Sequence, residues 1–170
     1  DPALAVLAHY ALGATWFYLG ALQAARQHLE AARQHLEEDI ARYTPDQRRV
    51  PVFRMGQDPG VTCRAYAAWT LWLLGYPEQA LACLHEALAL AHALSHPYSL
   101  AFAHWWAAFV YQLRRDVSAV HAQAEATMAL ATAQGFTLWV AVGTTFRGWA
   151  LAMQGQGEEG RAQVCQGVAA

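Results

Sequence analysis

In Leu73-Leu74-Gly75-Tyr76-Pro77-Glu78-Gln79-Ala80-Leu81, residues 73–81, one apolar run stops at a glycine and another starts just beyond a proline. Glycine suits the left-handed residue that ends a helix, and proline suits the first turn of the next one. Upstream, Arg64 to Leu74 carries apolar residues at three- and four-residue intervals, and downstream Gln79 to Leu94 does the same. The segment therefore reads as helix, tight turn, helix.

The same grammar recurs along the chain. Gly75, Arg115 and Gly155 stand 40 residues apart, each between two helical patterns. Five residues beyond them come Ala80, Val120 and Gly160, and nine beyond come Leu84, Ala124 and Val164. An earlier hairpin keeps these offsets through Gly20, Ala25 and Leu29. One hairpin cannot hide its apolar face alone, whereas stacked hairpins share a continuous core. The expected fold is all-α: a right-handed α-solenoid of about four hairpins, covering approximately 4–42, 62–94, 99–134 and 137–168 of a single repeat domain, with a linker over 43–61.

Gly20 and Gly75 are 55 apart, so the first interval holds about 15 extra residues. Part comes from a tandem heptad: Ala24-Ala25-Arg26-Gln27-His28-Leu29-Glu30 is repeated at once as Ala31-Ala32-Arg33-Gln34-His35-Leu36-Glu37. Seven residues turn a helix by about 700°, only about 20° short of two turns, so a copy extends nearly the same face by about 10 Å. The alternative is that part of the copy loops out. The remainder is a proline-punctuated linker, Tyr43 to Gly60, expected either to lie along one edge of the array or to hang free.

The composition fits such an array. Of 170 residues, 56% are hydrophobic and 14% charged, which excludes a disordered polar tail. Eleven basic residues against 13 acidic ones give a net charge of −2, and the only local basic clusters are Arg48-Arg49 with Arg54 and Arg114-Arg115. Nucleic acid is not an expected partner, nor is an anionic membrane. His9, Arg26, His104 and Arg147 interrupt the apolar stretches before any reaches membrane-spanning length. Asp1-Pro2-Ala3-Leu4 lacks the basic opening of a signal peptide and looks like a cut inside a longer protein. Cys63, Cys83 and Cys165 are odd in number and widely spaced, so a reducing, cytoplasmic setting is expected rather than a disulfide framework or zinc knot.

Catalytic and cofactor motifs do not emerge. Gly155-Gln156-Gly157-Glu158-Glu159-Gly160 lacks the lysine and preceding strand of a phosphate loop. Glu37-Glu38-Asp39 and Glu158-Glu159 are expected as solvent-facing runs, not carboxylates opposed across a cleft. His28 and His35 are expected on a solvated helix flank. His92 and His96 have metal-clamping spacing, but Leu94-Ser95-His96-Pro97 reads as a helix end. The chain is expected to be no enzyme and to hold no metal or cofactor.

The aromatic residues suit binding instead. Counting back from each turn places Phe17 and Tyr18, Trp69 and Trp72, Trp105 and Phe109, and Trp149 on the first helices of the hairpins. Aligned along an inner wall, these rings would receive a helix or an extended peptide; the alternative is ordinary core packing. Trp69 and Trp72 share one side of their helix and Leu71 and Leu74 another, so one pair must be less buried. A rival reading, a small-molecule or nucleotide sensor, would use converging polar groups such as His104, Gln112 and Arg147.

The hairpins resemble tetratricopeptide repeats. The first carries Leu12-Gly13, Trp16, Leu19-Gly20, Ala25, Leu29 and Ala32; the second carries Ala68, Leu71, Leu74-Gly75-Tyr76, Ala80-Leu81, Leu84 and Ala87. The later two are looser: Arg115 replaces the turn glycine, while Val120 and Gly160 replace the small alanine. A narrower likeness rests on Phe17-Tyr18-Leu19-Gly20, Gly56-Gln57-Asp58-Pro59-Gly60-Val61, Leu73-Leu74-Gly75-Tyr76-Pro77, Leu94-Ser95-His96-Pro97 and Arg147-Gly148-Trp149-Ala150. These are similar to the C-terminal repeat region of large bacterial regulators in which a class III adenylate or guanylate cyclase domain, or a related regulator, precedes an ATPase-like module. The resemblance implies a non-catalytic regulatory or assembly role, with a protein or peptide partner, another domain of the parent, or a second copy.

Overall fold

A computed structural model describes residues 2–42 and 56–170. They form α1 (Pro2–Tyr18), α2 (Leu22–Arg42), α3 (Pro59–Leu73), α4 (Pro77–Leu94), α5 (Pro97–Leu113), α6 (Val117–Gln134), α7 (Thr137–Met153) and α8 (Gly157–Ala169). The fold is all-α with paired helix packing. It divides into two compact units, Asp1–Ser99 and Leu100–Ala170.

The four intrahairpin turns share one chemistry. Gly20, Gly75, Arg115 and Gly155 all have positive φ, at 77°, 86°, 59° and 92°. The next residue's N–H reaches back five positions: Ala21 to Trp16 O at 2.9 Å, Tyr76 to Leu71 O at 2.9 Å, Asp116 to Tyr111 O at 3.0 Å and Gln156 to Leu151 O at 3.0 Å. This bond satisfies a carbonyl that the helix end leaves open and fixes the direction of the returning helix. Arg115 thus makes the glycine turn without a glycine. Helix starts are fixed as well: Asp58 Oδ1 accepts from Val61 N at 3.0 Å and Asp116 Oδ1 from Ala119 N at 3.1 Å.

In the first unit α1 packs on α2, α2 on α3, and α3 on α4. α2 runs unbroken through both copies of the heptad, so the copy does not loop out. Its Ala25, Leu29 and Ala32 are buried. The linker ends sooner than expected from sequence: α3 starts at Pro59, because Asp58 caps it and its own N–H donates to Ser99 Oγ at 2.8 Å. The expectation of an edge-bound linker falls on 43–55, outside the described residues.

In the second unit the core gathers Ala108 of α5, Val120 and Ala124 of α6, and Phe146 and Ala150 of α7. His104 of α5 and Gln123 of α6 share a hydrogen bond of 2.7 Å between Nδ1 and Oε1. Small residues let the backbones approach. A Cβ built on Gly148 of α7 would lie 2.6 Å from the Gly160 carbonyl oxygen of α8, and one on Gly143 would lie 2.5 Å from Met128 Cγ of α6. The offsets that defined the repeat are its contact positions: Ala25, Ala80, Val120 and Gly160 are all buried.

Candidate functional site

The seven aromatic residues divide by unit. In the first, Phe17 is 8% exposed and belongs to the core, with its ring centroid 4.9 Å from that of Trp69 and 5.7 Å from that of Tyr66. Phe17 packs against α3 instead of facing solvent. Tyr18 is 68% exposed, although its hydroxyl lies 3.1 Å from that of Tyr66. Trp69, Trp72 and Leu74 are half-buried and Leu71 is buried, so the two pairs differ only at Leu71.

In the second unit, Trp105, Phe109 and Trp149 are half-buried and pack against the Val120, Ala124 and Phe146 cluster. Phe109 stands edge-on to Phe146 at 4.8 Å, and Trp105 at 5.7 Å from Phe109. Each ring gives part of its surface to the core and keeps part open. Within each unit the structure brings the rings together as packed clusters, with Tyr18 the most open of the seven.

Two polar groups of the sensor reading, His104 and Arg147, are engaged with different partners. His104 is paired with Gln123, whereas Arg147 donates through Nε to Gln163 Oε1 at 2.7 Å and through Nη1 to Glu125 Oε1 at 3.2 Å. Arg147 thereby ties α6, α7 and α8 together. A shallow concavity of about 440 Å³ lies along α2, lined by Gln23, Arg26, Gln27, Glu30, Ala31 and Gln34. These residues form one helix stripe, which leaves a small molecule open to water.

Histidine chemistry was missed by spacing alone. His28 and His35 lie against His9 of α1: Nδ1 of His9 and His28 are 3.1 Å apart, and the His9 and His35 rings stack at 5.5 Å. The two are not merely on a solvated flank. Burial, then the charges of His28 and His35, hold the His9 imidazole below its ordinary pKa of 6.5. Among the described residues, no group of three or more His, Cys, Asp or Glu can hold a metal ion. His92 is exposed in the last turn of the helix that ends at Leu94, and His96 Nδ1 lies 2.8 Å from Ser99 Oγ.

Tyr10 and Tyr66 both have phenols pushed upward, chiefly by burial. Desolvation favours the neutral form, which suits packing and hydrogen bonding, not proton abstraction. The Cys63 thiol is likewise pushed up to about 12 by burial. No helix among the described residues is long and apolar enough to cross a membrane.

Further exposed apolar side chains lie on α1, where Leu4, Leu12 and Trp16 are open while Val6 and Phe17 are buried. The available signal was composition: α1 has no Asp, Glu, Lys or Arg in its 17 residues, and a helix apolar on all sides has more than one face to bury. Compared with known proteins, the chain matches no family model and no curated protein.

Proposed function

We propose that this chain is a non-catalytic protein-interaction or self-association scaffold, a cytoplasmic regulatory piece of a larger signalling protein built on tetratricopeptide-like repeats in a right-handed solenoid. The observation that carries this reading is the set of exposed apolar side chains on first helices: Leu12, Trp16 and Tyr18 on α1, with Trp69 and Trp72 of α3 half-buried. Exposed apolar side chains of this kind suit another helix better than a polar metabolite. The likeness to bacterial cyclase and ATPase-like regulators supports a partner within the parent protein.

The reading is tested by titrating the chain with the remaining domains of the parent while following tryptophan fluorescence. A saturable change weakened by Tyr18→Ala or Trp72→Ala is expected. No saturable change with those domains, together with one produced by nucleotides, would replace the scaffold with the sensor reading.

A further inference from the structure

His9 of α1 meets two histidines of α2. Its Nδ1 lies 3.1 Å from His28 Nδ1, with ring centroids 5.3 Å apart, and its ring stacks on that of His35 at 5.5 Å. All three side chains are half-buried. His28 and His35 occupy the same position in the two copies of the heptad. Seven residues advance a helix by about 10 Å and return to nearly the same face, which places the His9 ring between the other two.

The His9 and His28 pair recurs in the repeat. His9 stands 11 residues before Gly20 and His28 eight after it, as His104 stands 11 before Arg115 and Gln123 eight after it. In the third hairpin these positions are again bonded, His104 Nδ1 to Gln123 Oε1 at 2.7 Å. The second and fourth hairpins carry Arg64 with Cys83 and Thr144 with Gln163 there. Arg64 turns to Glu86 of α4 at 3.5 Å, and Thr144 back to Val140 O at 2.8 Å.

The two bonded pairs answer a proton differently. An amide oxygen accepts from an imidazole N–H whether the ring is neutral or charged, so acid leaves His104 and Gln123 joined. Two Nδ1 atoms share a bond only while one keeps its lone pair; protonating both sets donor against donor and cation against cation. His35 brings a third such charge to the same ring. Among the described residues, the charges that act on His9 are those of His28 and His35, and with burial they hold it below its ordinary pKa. Elsewhere on α2, Arg26 lies over the Tyr76 ring at 5.1 Å, and exposed Glu30 accepts from Gln34 at 3.4 Å. On α3, Arg64 is paired with Glu86, while Tyr66 lies against Tyr10 and Tyr18 of α1 with its phenol kept neutral by burial.

We infer that His9, His28 and His35 form an acid-released clasp: with neutral rings it holds α1 on α2, and with all three rings charged it parts the two helices while the third hairpin stays closed. The parting uncovers an apolar seam, because Leu29 is buried where a Cβ on Gly13 would lie 2.7 Å from its Cγ. The copied heptad thus lengthens α2 and also gives His9 a second histidine to repel.

Amide hydrogen exchange of the 170-residue chain, followed by mass spectrometry at about pH 7.5 and about pH 5.5 and corrected for the intrinsic pH dependence of exchange, tests the clasp. Protection of α1 should fall about five- to tenfold in acid, with α6 changed by less than about twofold. His28→Gln/His35→Gln installs the pair of the third hairpin, and His9→Gln installs its mirror; circular dichroism at the higher pH checks that each is folded. Both variants should keep α1 equally protected at the two pH values. Unchanged α1 protection in the unaltered chain, an equal acid loss in α6, or the full α1 loss persisting in a folded variant would overturn the inference.

Discussion

Gly148 and Gly160 face each other across the α7 and α8 pair so closely that a Cβ on either would strike the other's carbonyl oxygen, at 2.6 Å from Gly148 and 2.5 Å from Gly160. Backbone cannot swing aside as a side chain does. Gly148→Ala or Gly160→Ala should therefore destabilise the second unit by about 1–3 kcal/mol, the usual range for overpacking. Gly157→Ala meets open space at the start of α8 and should be neutral or slightly stabilising. Thermal melting of the three variants checks the contrast.

Arg115 holds φ at 59° in a turn that glycine makes in the other three hairpins. The left-handed conformation costs a side-chain-bearing residue about 1–2 kcal/mol, part of which glycine returns through its freer unfolded chain. Arg115→Gly should raise stability by about 0.5–1 kcal/mol. The check is the urea midpoint at unchanged slope.

The copied heptad lies within one continuous helix. Deleting Ala31 through Glu37 should preserve helical phase and leave cooperative melting intact. Deleting five residues, Ala31 through His35, rotates the following face by about 500°, or 140° net, and should cost more. Circular dichroism melts of both deletions make the comparison; equal losses would count against phase as the cause.

His9 supplies a pH dependence with a defined sign. Its folded pKa is lowered from 6.5, first by burial and then by His28 and His35, so the unfolded chain binds the proton more readily. Its contribution is fully present above the unfolded value and is lost as pH falls through the folded one. Urea midpoints should fall between about pH 7.5 and about pH 5, with a shallower fall in His9→Gln. Identical slopes would remove His9 from the cause.

The turns, the buried offsets and the helical pairing were legible because they depend on local chemistry: a residue at positive φ, small residues five places later and apolar spacing. Arg115 shows the limit of residue identity, since the bond pattern of its turn matches the glycine turns. The fate of Phe17 was not legible, because α1 is apolar on both sides and spacing cannot say which side meets α2. For the same reason the His9, His28 and His35 contact escaped notice: it joins two helices whose relative rotation is set by Gly13 against Leu29.

Tryptophan fluorescence tests the interaction reading most directly. Titrated with the remaining domains of the parent, the unaltered chain should show a saturable change, and a Leu12→Glu variant, altered at an exposed apolar position of α1, should show a weaker one. No saturable change with any of those domains, or an identical titration for Leu12→Glu, would contradict it.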